Sequence, residues 1–103
     1  MNVEETIKVR DHRYGGFASE SEISMVLKGI VRYENFDDHR TRVFRQGWTR
    51  LSPAQQSALD LIFLKVARII NGDPTYIDNW HDIGGYALLI ERLLEKENSN
   101  GSD

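Results

Sequence analysis

The fold is decided by the stretch Ser52–Gly72, which reads SPAQQSALDLIFLKVARIING. It opens with Ser-Pro-x-Gln, the order of a capped helix start, and closes on Asn71-Gly72, a helix stop. This pattern predicts a helix over 53–70. Its apolar residues lie on two opposite sides, with Ala58, Ile62, Val66 and Ile69 on one and Leu61 and Leu64 on the other. A helix that is apolar on two sides is typically central to a bundle or shared between subunits.

The segment before this stretch has the pattern of a second core-facing helix. Apolar residues recur there at spacings of three and four, at Ile23, Val26, Leu27, Ile30 and Val31. Ser19 and Glu22 match the Ser-x-x-Glu capping box that precedes many helices. Together these signals predict a helix over 20–34.

A third helix is predicted over 76–97, after the turn that Asp73-Pro74 imposes. Thr75 and Asp78 provide a start that resembles a capping box. Apolar residues line one arc of this helix, at Ile83, Tyr86, Ala87, Ile90, Leu93 and Leu94.

The remaining segments lack such a pattern. Residues 1–13 are polar and mixed in charge, and we expect an extended N-terminal arm. Residues 35–50 are locally basic and predict either a short helix or an irregular loop. Residues 98–103 have the composition of a disordered tail. The chain therefore predicts a single helical domain over 14–97.

These elements predict an all-α fold, a small bundle of three long helices plus a short connecting helix or loop. The absence of cysteine excludes a disulfide scaffold and cysteine-ligated metal. No apolar run reaches the ~20 residues that span a bilayer, and MNVEETIKVR lacks the apolar core of a secretory signal. We therefore expect a cytoplasmic protein that does not act at a membrane.

Size and charge bear on the partners of the chain. A net charge of −3 disfavours non-specific binding to DNA. A chain of 103 residues buries only a modest fraction of its surface by itself. We expect a homo-oligomer, a dimer or higher, whose interface uses Leu61 and Leu64.

Two features of the third helix point to chemistry. Asp78 and Asp82 are four residues apart, so their carboxylates project from one side and repel each other. The helix dipole, a cationic partner or a metal must compensate that repulsion. Gly84 and Gly85 each cost about 1 kcal/mol relative to alanine inside a helix, which implies close approach of another helix or of a ligand.

Basic residues supply candidate phosphate contacts. Lys65 and Arg68 lie on the flank of the helix predicted over 53–70, where Lys65 is either a surface lysine over apolar neighbours or part of an anion site. The four arginines of 35–50 are interleaved with Phe44 and Trp48. They either pair with neighbouring acids or stack on and neutralise a nucleotide.

The stretch from Ala58 to Pro74, followed by Asp78-Asn79-Trp80-His81-Asp82-Ile83-Gly84-Gly85-Tyr86-Ala87, resembles a family of small bacteriophage and prophage proteins of uncharacterised function. That family combines a lysine-arginine helix with Gly-Asp-Pro and then Asp-Asn/Ser-Trp-x-Asp-Ile-x-Gly-Tyr. Tyr14-Gly15-Gly16-Phe17, followed by Glu20, resembles its first motif, although aspartate is common where Gly16 stands. The resemblance implies a phage protein in the cytoplasm of a bacterial host.

The phage family is similar in turn to the all-α nucleotide pyrophosphohydrolases of the MazG type. Those enzymes hold magnesium with acidic residues of neighbouring helices and split a nucleoside triphosphate into a monophosphate and pyrophosphate. This chain departs from their Glu-Glu-x-x-Glu and Glu-x-x-Asp motifs. If the chain is such an enzyme, the resemblance implies Mg²⁺ ligands at Glu20, Glu22, Asp78 and Asp82.

Three functions follow as hypotheses. Because the acidic motif is incomplete, the first is a non-catalytic protein that sequesters or senses a nucleotide, including a defence signal. The second is a Mg²⁺-dependent nucleoside triphosphate pyrophosphohydrolase, and the third is a protein that binds a host factor through residues 36–50. The ligand residues of the first would be Lys65, Arg68, Asp78, Trp80, Asp82, Gly84, Gly85, Tyr86, Tyr14 and Phe17.

Overall fold

The computed structural model describes residues 2–101, with side chains through Ser99. The helices follow one another as α1 Val3–Tyr14, α2 Phe17–Arg32, α3 Gln46–Thr49, α4 Pro53–Asn71 and α5 Ile77–Gly101. The only extended pairing in this part of the chain is an isolated antiparallel bridge of Tyr33 with Phe44. The predicted all-α fold is confirmed. No helix between residues 2 and 101 is both long and apolar enough to cross a membrane.

Helix α4 is central, as its sequence predicts, and packs against α1, α2 and α5. The Gln55 backbone N–H donates to the Ser52 hydroxyl at 3.1 Å, and the Ser52 N–H donates to the Gln55 side chain at 2.9 Å. The capping box is therefore formed as predicted. The helix ends at Asn71, and Gly72 is its C-cap.

The segment predicted to be an extended arm is helical instead, because residues 3–14 form helix α1, while residue 1 lies outside the described residues. The Asn2 side chain caps this helix by accepting a hydrogen bond from the Glu5 N–H at 2.8 Å. Acidic residues lie in its first turn and basic residues in its last, which complements the helix dipole. No residue of α1 is buried, so the helix has no need of an apolar face. Val3, Ile7 and Val9 accordingly do not form the apolar repeat from which a helix could be predicted.

Helix α2 begins at Phe17 rather than at residue 20, and the predicted Ser19–Glu22 capping box is not formed. Gly16 is the N-cap and makes no side-chain cap bond. The start is set instead from another helix, because the Asn71 side-chain amide donates to the carbonyl oxygens of Tyr14 at 2.9 Å and Gly16 at 3.0 Å. Ser19 and Glu22 consequently lie inside the helix.

Both alternatives for residues 35–50 are found, because a loop is followed by the short helix α3. Trp48 is buried, whereas Val43 and Phe44 are exposed. Gly47 lies inside α3.

Helix α5 continues to Gly101, past the predicted end at residue 97. The predicted tail is therefore helical through residue 101, and residues 102–103 lie outside the described part. The Thr75 hydroxyl donates to Asp73 at 2.6 Å, and the Asp78 carboxylate accepts from the Tyr76 hydroxyl at 2.8 Å. The start of α5 therefore does not use the predicted Thr75–Asp78 pair.

The molecule is elongated for a chain of this size. Its radius of gyration is 16.8 Å, whereas a compact domain of this size has about 13 Å. Its accessible surface of 7463 Å² is roughly 1,500 Å² larger than expected for a folded monomer of 11.9 kDa. Buried apolar side chains among the described residues are few, namely Trp48, Ala58, Ala67 and Ile69.

Candidate functional site

The most buried charged side chain among the described residues lies where α1, α2 and α4 meet. Glu20, on the first turn of α2, is only 1% exposed. Its carboxylate is ion-paired with Arg10 of α1 and with Arg68 of α4, whose Nε lies 2.8 Å from Oε1. A carboxylate can be buried at this depth because two guanidinium groups share its charge. This contact ties α1, α2 and α4 together.

Aromatic rings cover these guanidinium groups. Arg68 lies 4.4 Å from the ring centroid of Tyr14, and Arg10 lies 5.1 Å from that of Phe17. Tyr14 also meets the ring of Tyr76 edge to face at 6.1 Å. Two predicted ligand residues, Tyr14 and Phe17, thus stack on the cations of the same cluster.

A second ion pair joins α4 to α5. The Lys65 ammonium lies 2.9 Å from the Asp82 carboxylate, and the lysine side chain is only 11% exposed. The hydrogen bond from Lys65 holds the pKa of Asp82 below its ordinary value. We call the five charged residues of these two ion-pair groups the charged junction: Arg10, Glu20, Lys65, Arg68 and Asp82.

Asp78 and Trp80 lie beside the charged junction but point elsewhere. Asp78 accepts the hydroxyl hydrogen of Tyr76, and this bond raises the pKa of the tyrosine. The Trp80 indole donates to the Pro74 carbonyl at 2.9 Å, while 56% of the residue remains exposed. The two aspartates predicted to share a ligand therefore have separate partners.

The four carboxylates predicted as magnesium ligands do not converge. No group of three or more His, Asp or Glu side chains in the described residues could hold a metal ion. Glu20 is enclosed by two arginines, Asp82 is paired with Lys65, and Glu22 is exposed on α2. The reason is that α1, which the sequence did not reveal, brings Arg10 to the carboxylate.

The glycine pair of α5 does not serve helix packing within this chain. A Cβ built on Gly84 or Gly85 would meet no atom of the described chain within 4 Å. Gly85 shares a shallow cavity of about 390 Å³ with Asp82 and Tyr86. Lys65, Asp78 and Gly84 do not line it, so the predicted site residues share a cavity only in part.

Larger depressions lie away from the charged junction, and two of them bear on function. An apolar groove of about 500 Å³ runs between α4 and α5 and is lined by Leu61, Tyr86, Leu89 and Leu93, with Arg92 and Lys96 among its other lining residues. A basic cleft of about 600 Å³ lies between α2 and the loop after it, and its cations are Lys28, Arg32 and Arg42. Sequence reasoning missed the cleft, although Lys28 and Arg32 stand four apart on α2.

The side chain of Asn79 is buried without a hydrogen-bond partner among the described residues. Asn79 is 0% exposed, and neither its side-chain oxygen nor its nitrogen makes a hydrogen bond in the described structure. An unsatisfied buried polar group costs about 1–3 kcal/mol. Asn79 lies on the first turn of α5, three residues from Asp82.

Comparison of the chain with family models, with curated proteins and with solved structures finds no match. The geometry of the site and the motifs of the chain are therefore the basis for a functional proposal.

Proposed function

We propose that this chain is a non-catalytic nucleotide-binding protein, of the phage type that its motifs resemble, and that it acts as a homo-oligomer. The observation that carries the proposal is the charged junction. It brings together three cations, Arg10, Lys65 and Arg68, whose partners are the carboxylates of Glu20 and Asp82 and, 4.0 Å from Arg10, that of Asp11. Phosphate groups are ligands that such a cluster of guanidinium and ammonium donors attracts.

An exposed ring at the charged junction supports a ligand that has both phosphate and a base. Phe17, whose ring centroid lies 5.1 Å from the Arg10 guanidinium, is 68% exposed. A nucleobase stacks on such rings without requiring a particular sequence of hydrogen bonds. In this proposal the phosphates contact Lys65 and Arg68, and the base lies against an exposed ring.

The pairing of the carboxylates favours binding over catalysis. Magnesium requires near-octahedral oxygen ligands, and a two-metal site needs several carboxylates in one place. Here Glu20 and Asp82 are engaged by basic side chains, so a metal ion would have to displace Arg10, Arg68 and Lys65. A Mg²⁺-dependent pyrophosphohydrolase remains the alternative that the experiment must test.

The shape of the molecule supports the homo-oligomer. A standard protein interface buries about 800 Å² per partner, and the surface of this chain exceeds that of a compact monomer by more than this. Leu61, Leu89 and Leu93 stand exposed along the apolar groove. A second copy seated on this groove would cover them.

Calorimetry against a panel of nucleoside mono- and triphosphates and cyclic dinucleotides, with Mg²⁺ and with chelator, tests the proposal. We expect binding without Mg²⁺ and a loss of at least tenfold in affinity for Lys65→Gln, with the exposed Lys8→Gln of α1 as the matched control. Absence of binding across the panel would contradict the proposal. Release of pyrophosphate that Asp82→Asn abolishes would establish the enzyme instead.

A further inference from the structure

The basic cleft is built from the second half of α2 and the loop that follows it. Its volume of about 600 Å³ falls in the range of sites for small ligands, which are typically 300–1,000 Å³. It is separate from the charged junction, because none of the five residues of the junction lines it. The side chains that matter here are three cations and two rings, namely Lys28, Arg32, Arg42, Tyr33 and Phe36.

The loop wall of the basic cleft is held by its own hydrogen bonds. The Asn35 side chain accepts from the Val43 N–H at 2.8 Å and donates to Thr41 across the loop. The Glu34 N–H donates to the Val43 carbonyl at 2.9 Å, next to the bridge of Tyr33 with Phe44. The wall is therefore fixed before any ligand arrives, which lowers the entropic cost of binding.

Arg42 is positioned to face the cleft by three contacts. Its Nε donates to the Phe36 carbonyl at 2.9 Å, and its Nη2 lies 2.8 Å from His39 Nδ1. Its guanidinium also lies 5.1 Å from the ring centroid of Tyr33. None of these partners is a carboxylate, so the positive charge of Arg42 is not neutralised by an ion pair within the described residues.

The cations of the cleft outnumber its acids. Lys28 makes no ion pair with any residue that the structure describes. Arg32 is paired with Asp60, and Asp37 is the one carboxylate that lines the cleft. Lys28 and Arg42 are thus two cations without an ion pair among the described residues. Both line the same cavity, in which Asp37 is the one carboxylate.

The floor of the cleft presents a flat ring. A Cβ built on Gly29 would lie 3.2 Å from Phe36 Cδ2, so the glycine lets this ring pack directly on α2. The ring of Tyr33 packs on Phe44 with centroids 4.9 Å apart, which holds it at the cleft wall. Offset stacking on such rings adds about 0.5–1.5 kcal/mol to the burial of a planar ligand.

We infer that the basic cleft is a binding site for a small phosphate monoester that carries a planar ring. The phosphate lies between Lys28 and Arg42, and the ring lies against Phe36 and Tyr33. This site is separate from the proposed nucleotide site at the charged junction, and a different measurement tests it.

The test is calorimetry at low ionic strength with phenyl phosphate and with inorganic phosphate as probes. We expect the protein to bind phenyl phosphate at least fivefold more tightly than phosphate, because only the ester reaches the rings. The double variant Lys28→Gln/Arg42→Gln should lose at least tenfold in affinity. Arg40→Gln, two residues away but outside the lining of the cleft, should stay within twofold of the unmodified protein.

Three outcomes would overturn the inference: no binding of phenyl phosphate, equal affinity for the two probes, or an equal loss in Arg40→Gln. Lys28→Gln alone removes a residue without an ion pair, so it reports on the site even if the double variant does not fold. The nucleotide proposal is tested by the nucleotide affinity of Lys65→Gln, and this inference is tested by the phenyl phosphate affinity of Lys28→Gln. Failure of the one is therefore distinguishable from failure of the other.

Discussion

Gly15 and Asn71, which are 56 positions apart in sequence, lie in direct backbone contact. Gly15 has φ +76°, and a Cβ built on it would stand 2.9 Å from the Asn71 carbonyl carbon and closer still to its oxygen. The Asn71 side chain meanwhile bonds the carbonyl oxygens on either side of Gly15. This contact fixes the turn between α1 and α2 on the end of α4, and with it the position of Glu20.

The first prediction concerns this glycine. Gly15→Ala should lower the free energy of unfolding by about 3 kcal/mol, because it adds a strained positive φ to a backbone collision. Gly16→Ala is the matched control, since Gly16 has φ −66° and open space around it. Urea denaturation of both variants measures the difference. Equal stability of the two would show that the contact does not hold the turn.

The second prediction concerns the buried carboxylate. Glu20→Gln leaves Arg10 and Arg68 beside a neutral amide, and removing one partner of a buried ion pair costs about 3–5 kcal/mol. Glu22→Gln changes an exposed residue of the same helix and should stay within about 0.5 kcal/mol of the unmodified protein. Thermal unfolding followed by circular dichroism compares them. If Glu20→Gln is as stable as the control, the charged junction does not stabilise the fold.

The third prediction compares two asparagines. The Asn79 side chain makes no hydrogen bond in the described structure, whereas the Asn71 side chain makes two. Asn79→Ala removes two buried polar atoms without partners, so its stability should lie within about 1 kcal/mol of the unmodified protein or above it. Asn71→Ala removes two formed hydrogen bonds and should cost about 2 kcal/mol. Denaturant unfolding ranks the variants. A larger loss at Asn79 than at Asn71 would indicate that the Asn79 amide has a partner in solution.

The fourth prediction is a pH dependence in the loop of the basic cleft. Bonds from the Thr41 hydroxyl and the Arg40 N–H lower the pKa of Asp38 below its ordinary value of 3.8. A carboxyl whose pKa is lower in the folded state stabilises the fold at pH values above its ordinary pKa. This contribution is lost as the pH falls through the lower pKa of the folded state. Carbon-13 NMR titration should give an Asp38 midpoint below 3.8. In Thr41→Val the midpoint should move back upward, and an unmoved midpoint would rule out the hydroxyl as the main cause.

The fifth prediction concerns self-association through the apolar groove. Light scattering after gel filtration should show at least a dimer, and Leu61→Glu or Leu93→Glu should shift it to the monomer, because a charge would be buried in an apolar interface. Ile70→Glu is the control, since Ile70 is also exposed but does not line the groove. A monomeric unmodified protein, or the same shift in Ile70→Glu, would contradict an interface at the groove.

The sequence by itself determined the elements whose signals are local. Ser52 and Gln55 are three residues apart and cap α4 through each other, so the start of α4 could be predicted from four letters of sequence. The apolar repeat in α2 and the Asn71-Gly72 stop belong to the same class of signal. Helix α1 has a local cap at Asn2 but no apolar period, and without that period the sequence predicted an arm.

The tertiary structure alone decided the candidate sites. Lys65 and Asp82 were both singled out by sequence, yet only the packing of α4 against α5 makes them partners of each other. Glu20 and Arg68 are 48 positions apart, and their pairing depends on which faces of α1, α2 and α4 meet. The physical reason is range: the cap of α4 is formed by hydrogen bonds within one helical turn, whereas the start of α2 and the ion pairs between helices require the whole bundle to bring distant groups within about 3 Å.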